Sequence, residues 1–146
     1  MSPRNEVSAF RFPWAAGLHF SQSVATDELV FTSGQAGFLP DGQLVGQDFE
    51  SQLHQAFRNL DEVLRAQDAS LDTLLRLNTY LSDASQYAAF KRIRAEYLRQ
   101  PYPASTAVIV GMVFEGMLVE LEGVAVRGAI RAPARAASQS PRGGAA

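Results

Sequence analysis

The sequence has no cysteine. Disulfides, thiolate nucleophiles and Cys-ligated metals are excluded, and a cytoplasmic protein is expected. Histidine occurs only at His19 and His54, far apart and without the spacing of a zinc-binding helix, so no metal centre is expected. No apolar run is long enough to span a membrane. The opening MSPRNEVSAF lacks the apolar stretch of a secretory signal. Positive charge is scarce in the body. Of 13 basic residues, Arg131, Arg135 and Arg142 lie in the last stretch, which carries no acid. Residues 1–130 therefore hold 10 basic against 15 acidic groups, a net charge of −5. Such a body repels phosphate backbones, so no nucleic-acid partner is expected, and no membrane partner either.

What remains is ordinary for a globular chain: 146 residues, 47% hydrophobic and 19% charged. That length suits one domain, expected over 1–130. The tail from 131 to 146, RAPARAASQSPRGGAA, has no apolar periodicity and is expected to be disordered. In the body, LHFSQSVA and ELVFTSGQAG read as strands. LPDGQLV holds a turn in which proline presets φ and glycine takes the left-handed position. Phe49, Leu53, Phe57, Leu60 and Leu64 recur at helical spacing, predicting a helix from Asp48 to about Gln67. LLRLNTYL is a strand. A second helix follows in SDASQYAAFKRIRAEYLR, with Asp83 and Gln86 spaced as a capping box. STAVIV and MLVELEGVAVR are the last strands. Phe12 and Trp14 are read as packing residues.

This order predicts an α+β fold, a mixed β-sheet with two helices packed on one face. Alternation assigns Leu75, Leu77 and Leu81 to the helix side, and Arg76, Asn78 and Tyr80 to the other. In the last strand Met117, Val119, Leu121 and Ala125 oppose Leu118, Glu120, Glu122, Val124 and Val126. The second face thus mixes carboxylates with aliphatics, which predicts that another subunit covers it.

LVFTSGQAG, FRNLDEVLRAQDASLDTLLRLNTYLSD and MLVELEGVAV together resemble the RidA/YjgF family of reactive enamine/imine deaminases, over about Phe20 to Val126. The resemblance implies a chorismate-mutase-like fold, a homotrimer with clefts between subunits, a small-molecule ligand, and neither metal nor organic cofactor. Carried over by position, the family's glutamate falls on Glu120. Its TSGQ turn falls on Thr32, Ser33, Gly34 and Gln35. Its tyrosine falls on Phe20, and an asparagine of its second helix on Lys91. The arginine of its Pro-Ala-Arg-Ser-Thr segment falls on Ser105, followed by Thr106.

Each position has a chemical reading of its own. Glu120 could activate water and protonate nitrogen as an acid/base; the competing reading is a carboxylate satisfied by backbone N–H groups or by Arg76. Glu122, on the same face, is read as structural. Gly34 permits close approach of a ligand to the backbone. Ser105 and Thr106 are read as ligand contacts or strand-opening hydroxyls, and nothing supports Ser105 as a nucleophile. Lys91 could supply a cation, or belong to a solvated basic run. His19 is read as pointing away from the cleft, and His54 as a surface residue. Serine cannot reproduce the bidentate guanidinium grip on a carboxylate, worth roughly 1.5–3 kcal/mol. The sequence therefore supports a divergent imine hydrolase or, alternatively, a ligand-binding trimer without turnover. RNA cleavage fits poorly with the acidic body.

Overall fold

A computed structural model describes residues 17–128. Phe12, Trp14 and the expected disordered tail lie outside them. The elements are β1 (Ser23–Ala25), β2 (Leu29–Thr32), α1 (Phe49–Arg65), β3 (Leu74–Leu81), α2 (Tyr87–Tyr97), β4 (Ala104–Ile109) and β5 (Val119–Val126). Short 3-10 turns, Leu71–Thr73 and Ala84–Gln86, precede β3 and α2 respectively. The first two strands are shorter than the sequence predicts. Beyond Thr32 the chain leaves the ladder and returns only as a bridge between Gln35 and Leu121.

The sheet has the order β1-β2-β5-β3-β4. Neighbours are antiparallel except β3 and β4, which are parallel. A parallel pair needs a crossover, and α2 supplies it. Both helices lie on one face, as predicted.

Helix α1 forms where its pattern says it should. Asp48 caps it, its carboxylate accepting from Ser51 N at 2.9 Å. Leu53, Phe57, Leu60 and Leu64 are fully buried and meet Leu74, Leu77 and Leu121 of the sheet and Phe90 and Ile93 of α2. Phe57 stacks on Tyr97, with centroids 4.5 Å apart. His54 is half-buried rather than a surface residue, because its Nδ1 bonds the Tyr97 hydroxyl at 2.6 Å. The Pro-Asp-Gly turn adopts the predicted geometry, with Gly42 at φ +84°.

The alternation reading fails at one residue. Leu75 is 43% exposed, and Leu74 takes the core position. The β3–β5 register shifts between Leu74 and Arg76. This bulge changes the phase of the strand, so everything after it alternates as expected and the residue at the bulge does not.

The buried and bulged leucines should therefore respond differently to truncation. Leu77→Ala is expected to cost about 2–5 kcal/mol and Leu75→Ala under about 1 kcal/mol, read by denaturant unfolding.

Candidate active site

Strand β5 sits in the middle of the sheet and separates two environments. Val119, Leu121 and Ala125 point into the core. Glu120, Glu122, Val124 and Val126 point to the open face, each half-buried. Glu120 lies opposite Tyr80, and Glu122 opposite Asn78 and level with Thr106.

The two carboxylates differ in what holds them. Glu122 Oε1 accepts from the Tyr80 hydroxyl at 2.5 Å and from Asn78 Nδ2 at 3.2 Å. It is tied into the sheet face, as its structural reading requires. The Tyr80 phenol is pushed up, first by that hydrogen bond and then by burial. Glu120 has no hydrogen-bond partner among the described residues, and Arg76 does not reach it. Arg76 donates instead to Thr106 Oγ1 at 3.0 Å. Burial, reinforced by the charge of Glu122, raises the Glu120 carboxyl above its ordinary range. That leaves one fixed carboxylate and one untied carboxyl that holds its proton to higher pH than an exposed glutamate does, which suits acid/base work.

Gly34 makes room for that carboxyl. A Cβ on Gly34 would lie 2.0 Å from Glu120 Oε1. The Gly34 N–H has no acceptor among the described residues, whereas Ser33 N donates to Gln22 O at 2.8 Å. The Ser33 hydroxyl is also committed, to Ser21 O at 2.6 Å. Gln35 is buried, and its amide donates to Gln22 Oε1 and Ser33 O. The Gln35 N–H bonds Leu121 O at 2.7 Å, so of Ser33, Gly34 and Gln35 only Gly34 keeps its backbone donor free among the described residues.

Glu120, Gly34, Gln35 and Phe20 line a cavity of about 550 Å³, together with Phe38, Val113, Phe114 and Met117. Its walls are largely apolar. His19 does not line it. Phe20 is 51% exposed, Phe114 61% and Val113 83%, so the apolar side chains at the cavity mouth are open to solvent in the single chain.

Two polar side chains of α1 hold this cavity open. Gln52, fully buried, donates to Gly46 O and Gly116 O and accepts from Leu118 N, each at 2.9 Å. Asn59 donates to Ala36 O at 2.9 Å and Phe38 O at 2.7 Å. Both clamp site loops to the helix. Sequence reading missed them, since a glutamine and an asparagine on an amphipathic helix look like solvent residues; their only signal is a position beside the apolar stripe.

Ser105 and Lys91 are elsewhere. Both line a smaller hollow between α2 and the start of β4. Thr106, the next residue, lies on the open face beside Arg76. Ser105 pairs with Leu77 and Glu120 with Tyr80. Two strand spacings of roughly 4.8 Å and three residue rises of roughly 3.3 Å separate them, on opposite sheet faces. One chain therefore does not bring Ser105 and Lys91 to Glu120.

No group of three or more metal-ligating side chains occurs among the described residues. No described helix is long and apolar enough to cross a membrane.

The sequence model of the family described as Endoribonuclease L-PSP matches residues 13–127, most of the chain. The chain belongs to the RidA/YjgF family. Its relatives include the 2-iminobutanoate/2-iminopropanoate deaminase of Homo sapiens, 30% identical over 126 residues, covering 86% of this chain and 91% of that protein. Protein HMF1 of Saccharomyces cerevisiae is 32% identical over 111 residues, covering 76% and 86% respectively. The crystal structure of RidA from an Antarctic Psychrobacter superposes with a TM-score of 0.74 at 32% identity, covering 84% of this chain and 99% of that one. The mixed sheet with two helices on one face is thus the RidA/YjgF fold.

The raised Glu120 carboxyl gives a stability prediction with a definite sign. The folded chain holds this proton to higher pH than the unfolded chain does. The resulting stabilisation is complete below the ordinary carboxylate pKa of 4.5 and is lost as pH rises through the raised value. Glu120→Gln should remove this loss, so the variant should gain stability relative to the wild type as pH rises above 4.5, read by thermal unfolding at several pH values.

Proposed function

We propose that this RidA/YjgF protein is an imine deaminase working in clefts between the subunits of a cytoplasmic homotrimer. The observation that carries the proposal is Glu120: half-buried, untied, with its pKa raised, and set against the bare Cα of Gly34 in a cavity. The reaction is hydrolysis of a C=N bond. Water adds to the imine carbon, forming a C–O bond while the nitrogen gains a proton. The carbinolamine then breaks its C–N bond, releasing ammonia and leaving the carbonyl product. A single carboxyl suffices to take the proton from water and deliver one to nitrogen, provided that it is neither locked nor fully solvated. The Gly34 N–H, free of any acceptor among the described residues, is the donor assigned to negative charge developing on oxygen.

Several features support the assembly. The apolar side chains at the cavity mouth are open to solvent in the single chain. The open face carries Val24, Phe31, Val124 and Val108 around its polar band. Such a surface is covered when copies associate. The ligand is a small metabolite with an apolar portion that packs on Phe20, where the family has a hydroxyl. Imine deamination is also the activity named for the human relative.

A second reading has one observation in its favour. With Ser105 in the arginine position, the strand lacks its usual grip on a carboxylate, which suits a trimer that binds a metabolite without turnover. RNA cleavage, which the family description names, is opposed by the net charge of −5 over residues 1–130.

Imines generated in place by an amino-acid oxidase provide the test. Wild-type protein is expected to accelerate their conversion to ammonia and 2-oxo acid, and Glu120→Gln to lower kcat by roughly 10²–10⁴-fold. Unchanged turnover in that variant would sink the hydrolase reading. Ligands that raise the melting temperature without product would favour the binding reading. Sedimentation is expected to give a trimer; a monomer that retains full activity would contradict the inter-subunit cleft.

A further inference from the structure

The cavity that holds Glu120 has few polar side chains on its walls: Glu120 itself, Gln22, Gln35 and Asn59. Asn59 is fully committed. Its amide donates to Ala36 O and Phe38 O, and its Oδ1 accepts from Gln55 Nε2 at 2.9 Å. Gln22 and Gln35 are not. Both are 3% exposed, and Gln35 Nε2 donates to Gln22 Oε1 at 2.8 Å and to Ser33 O at 3.3 Å. A backbone carbonyl can only accept, so the Ser33 contact fixes which end of the Gln35 amide is nitrogen. Gln22 must then turn its oxygen toward Gln35. Two polar atoms are left over, the Gln22 Nε2 donor and the Gln35 Oε1 acceptor. Neither has a partner among the described residues. Nor is either atom fully enclosed by protein.

An amide group held in a buried side chain without a partner is costly unless something in the site meets it. The surroundings narrow what that something is. Glu120 is the one titratable side chain on the described cavity walls, and no cation contributes to them. A neutral group is therefore suited to the two free amide atoms. They are also tied to Glu120 through the backbone. Gln35 follows Gly34, whose Cα lies against the Glu120 carboxyl. The Gln35 N–H bonds Leu121 O, one residue past Glu120. A water molecule held in such a cavity needs roughly two to four polar partners. A carboxyl alone is a poor holder, because it leaves the water free to turn. One donor and one acceptor of fixed orientation supply what is missing.

We infer that Gln22 and Gln35 hold the attacking water, Gln22 Nε2 donating to one of its lone pairs and Gln35 Oε1 accepting one of its protons. The water keeps one lone pair and one O–H. Glu120 gives its proton to the imine nitrogen, and the electron pair of the C=N bond moves to that nitrogen. The free lone pair of the water forms the C–O bond. The remaining O–H then passes its proton to the Glu120 carboxylate, which restores the carboxyl and leaves a neutral carbinolamine. Orienting the water in advance lowers the entropy lost on the way to the transition state. This inference rests on the imine-hydrolase reading and adds to it two residues that act on the water rather than on the substrate.

The test pairs kinetics with crystallography. The kinetic probe is the imine that an amino-acid oxidase makes from leucine, and the inert ligand is its product, 4-methyl-2-oxopentanoate. Gln22→Met removes the free donor in a side chain of similar length. It is expected to lower kcat roughly 10- to 100-fold. Affinity for 4-methyl-2-oxopentanoate, read by calorimetry, should stay near wild type. If Gln22→Met unfolds early, Gln22→Glu keeps the acceptor that Gln35 needs, replaces only the free donor, and carries the same expectation. An unchanged kcat in both variants overturns the inference. So does a parallel loss of 4-methyl-2-oxopentanoate binding, since the amides would then hold the ligand and not the water. A high-resolution crystal structure of the wild type should show an ordered water on Gln22 Nε2 and Gln35 Oε1, facing Glu120. Its absence overturns the inference, even where imines are hydrolysed. Its presence in a protein that hydrolyses no imine keeps the water site and removes the hydrolase reading.

Discussion

Strand β5 is the constraint on which the site depends. It is hydrogen-bonded on both sides, so its residues cannot rotate out of register. Burying Val119, Leu121 and Ala125 against α1 therefore fixes Glu120 and Glu122 on the opposite face. A one-residue slip would put two carboxylates into the core, at a cost the domain could not bear. The placement of the candidate acid/base group is thus enforced by the same apolar packing that folds the chain.

Neighbouring groups then make two identical side chains different. Glu122 meets a phenol and an amide and is held as a structural acceptor. Glu120 meets the bare backbone of Gly34 and an apolar cavity. Around it the loops are held from behind by Gln52 and Asn59, whose amides bond backbone groups of the loops directly. Removing either amide would strand buried polar groups; Gln52 acts wholly from behind the site, whereas Asn59 also lines the cavity.

Much of this was legible in the residues. The period-3.6 stripe from Phe49 to Leu64, the Asp48 cap and the alternation of VELEGVA fix α1, its start and the two faces of β5, because each rests on local geometry. Leu75 was misassigned because a bulge depends on pairing with another strand. Gln52 and Asn59 were overlooked because their partners are loop carbonyls remote in sequence. The direction of Ser105, toward the helices rather than toward Glu120, follows from the parallel pairing of β3 and β4, which no local pattern announces.

Strand β4 ends the sheet, and five of its six residues are exposed. A bare strand border offers free amides and carbonyls to any extended chain that meets it. A second chain lying along β4 in extended form would therefore lengthen this sheet by one strand.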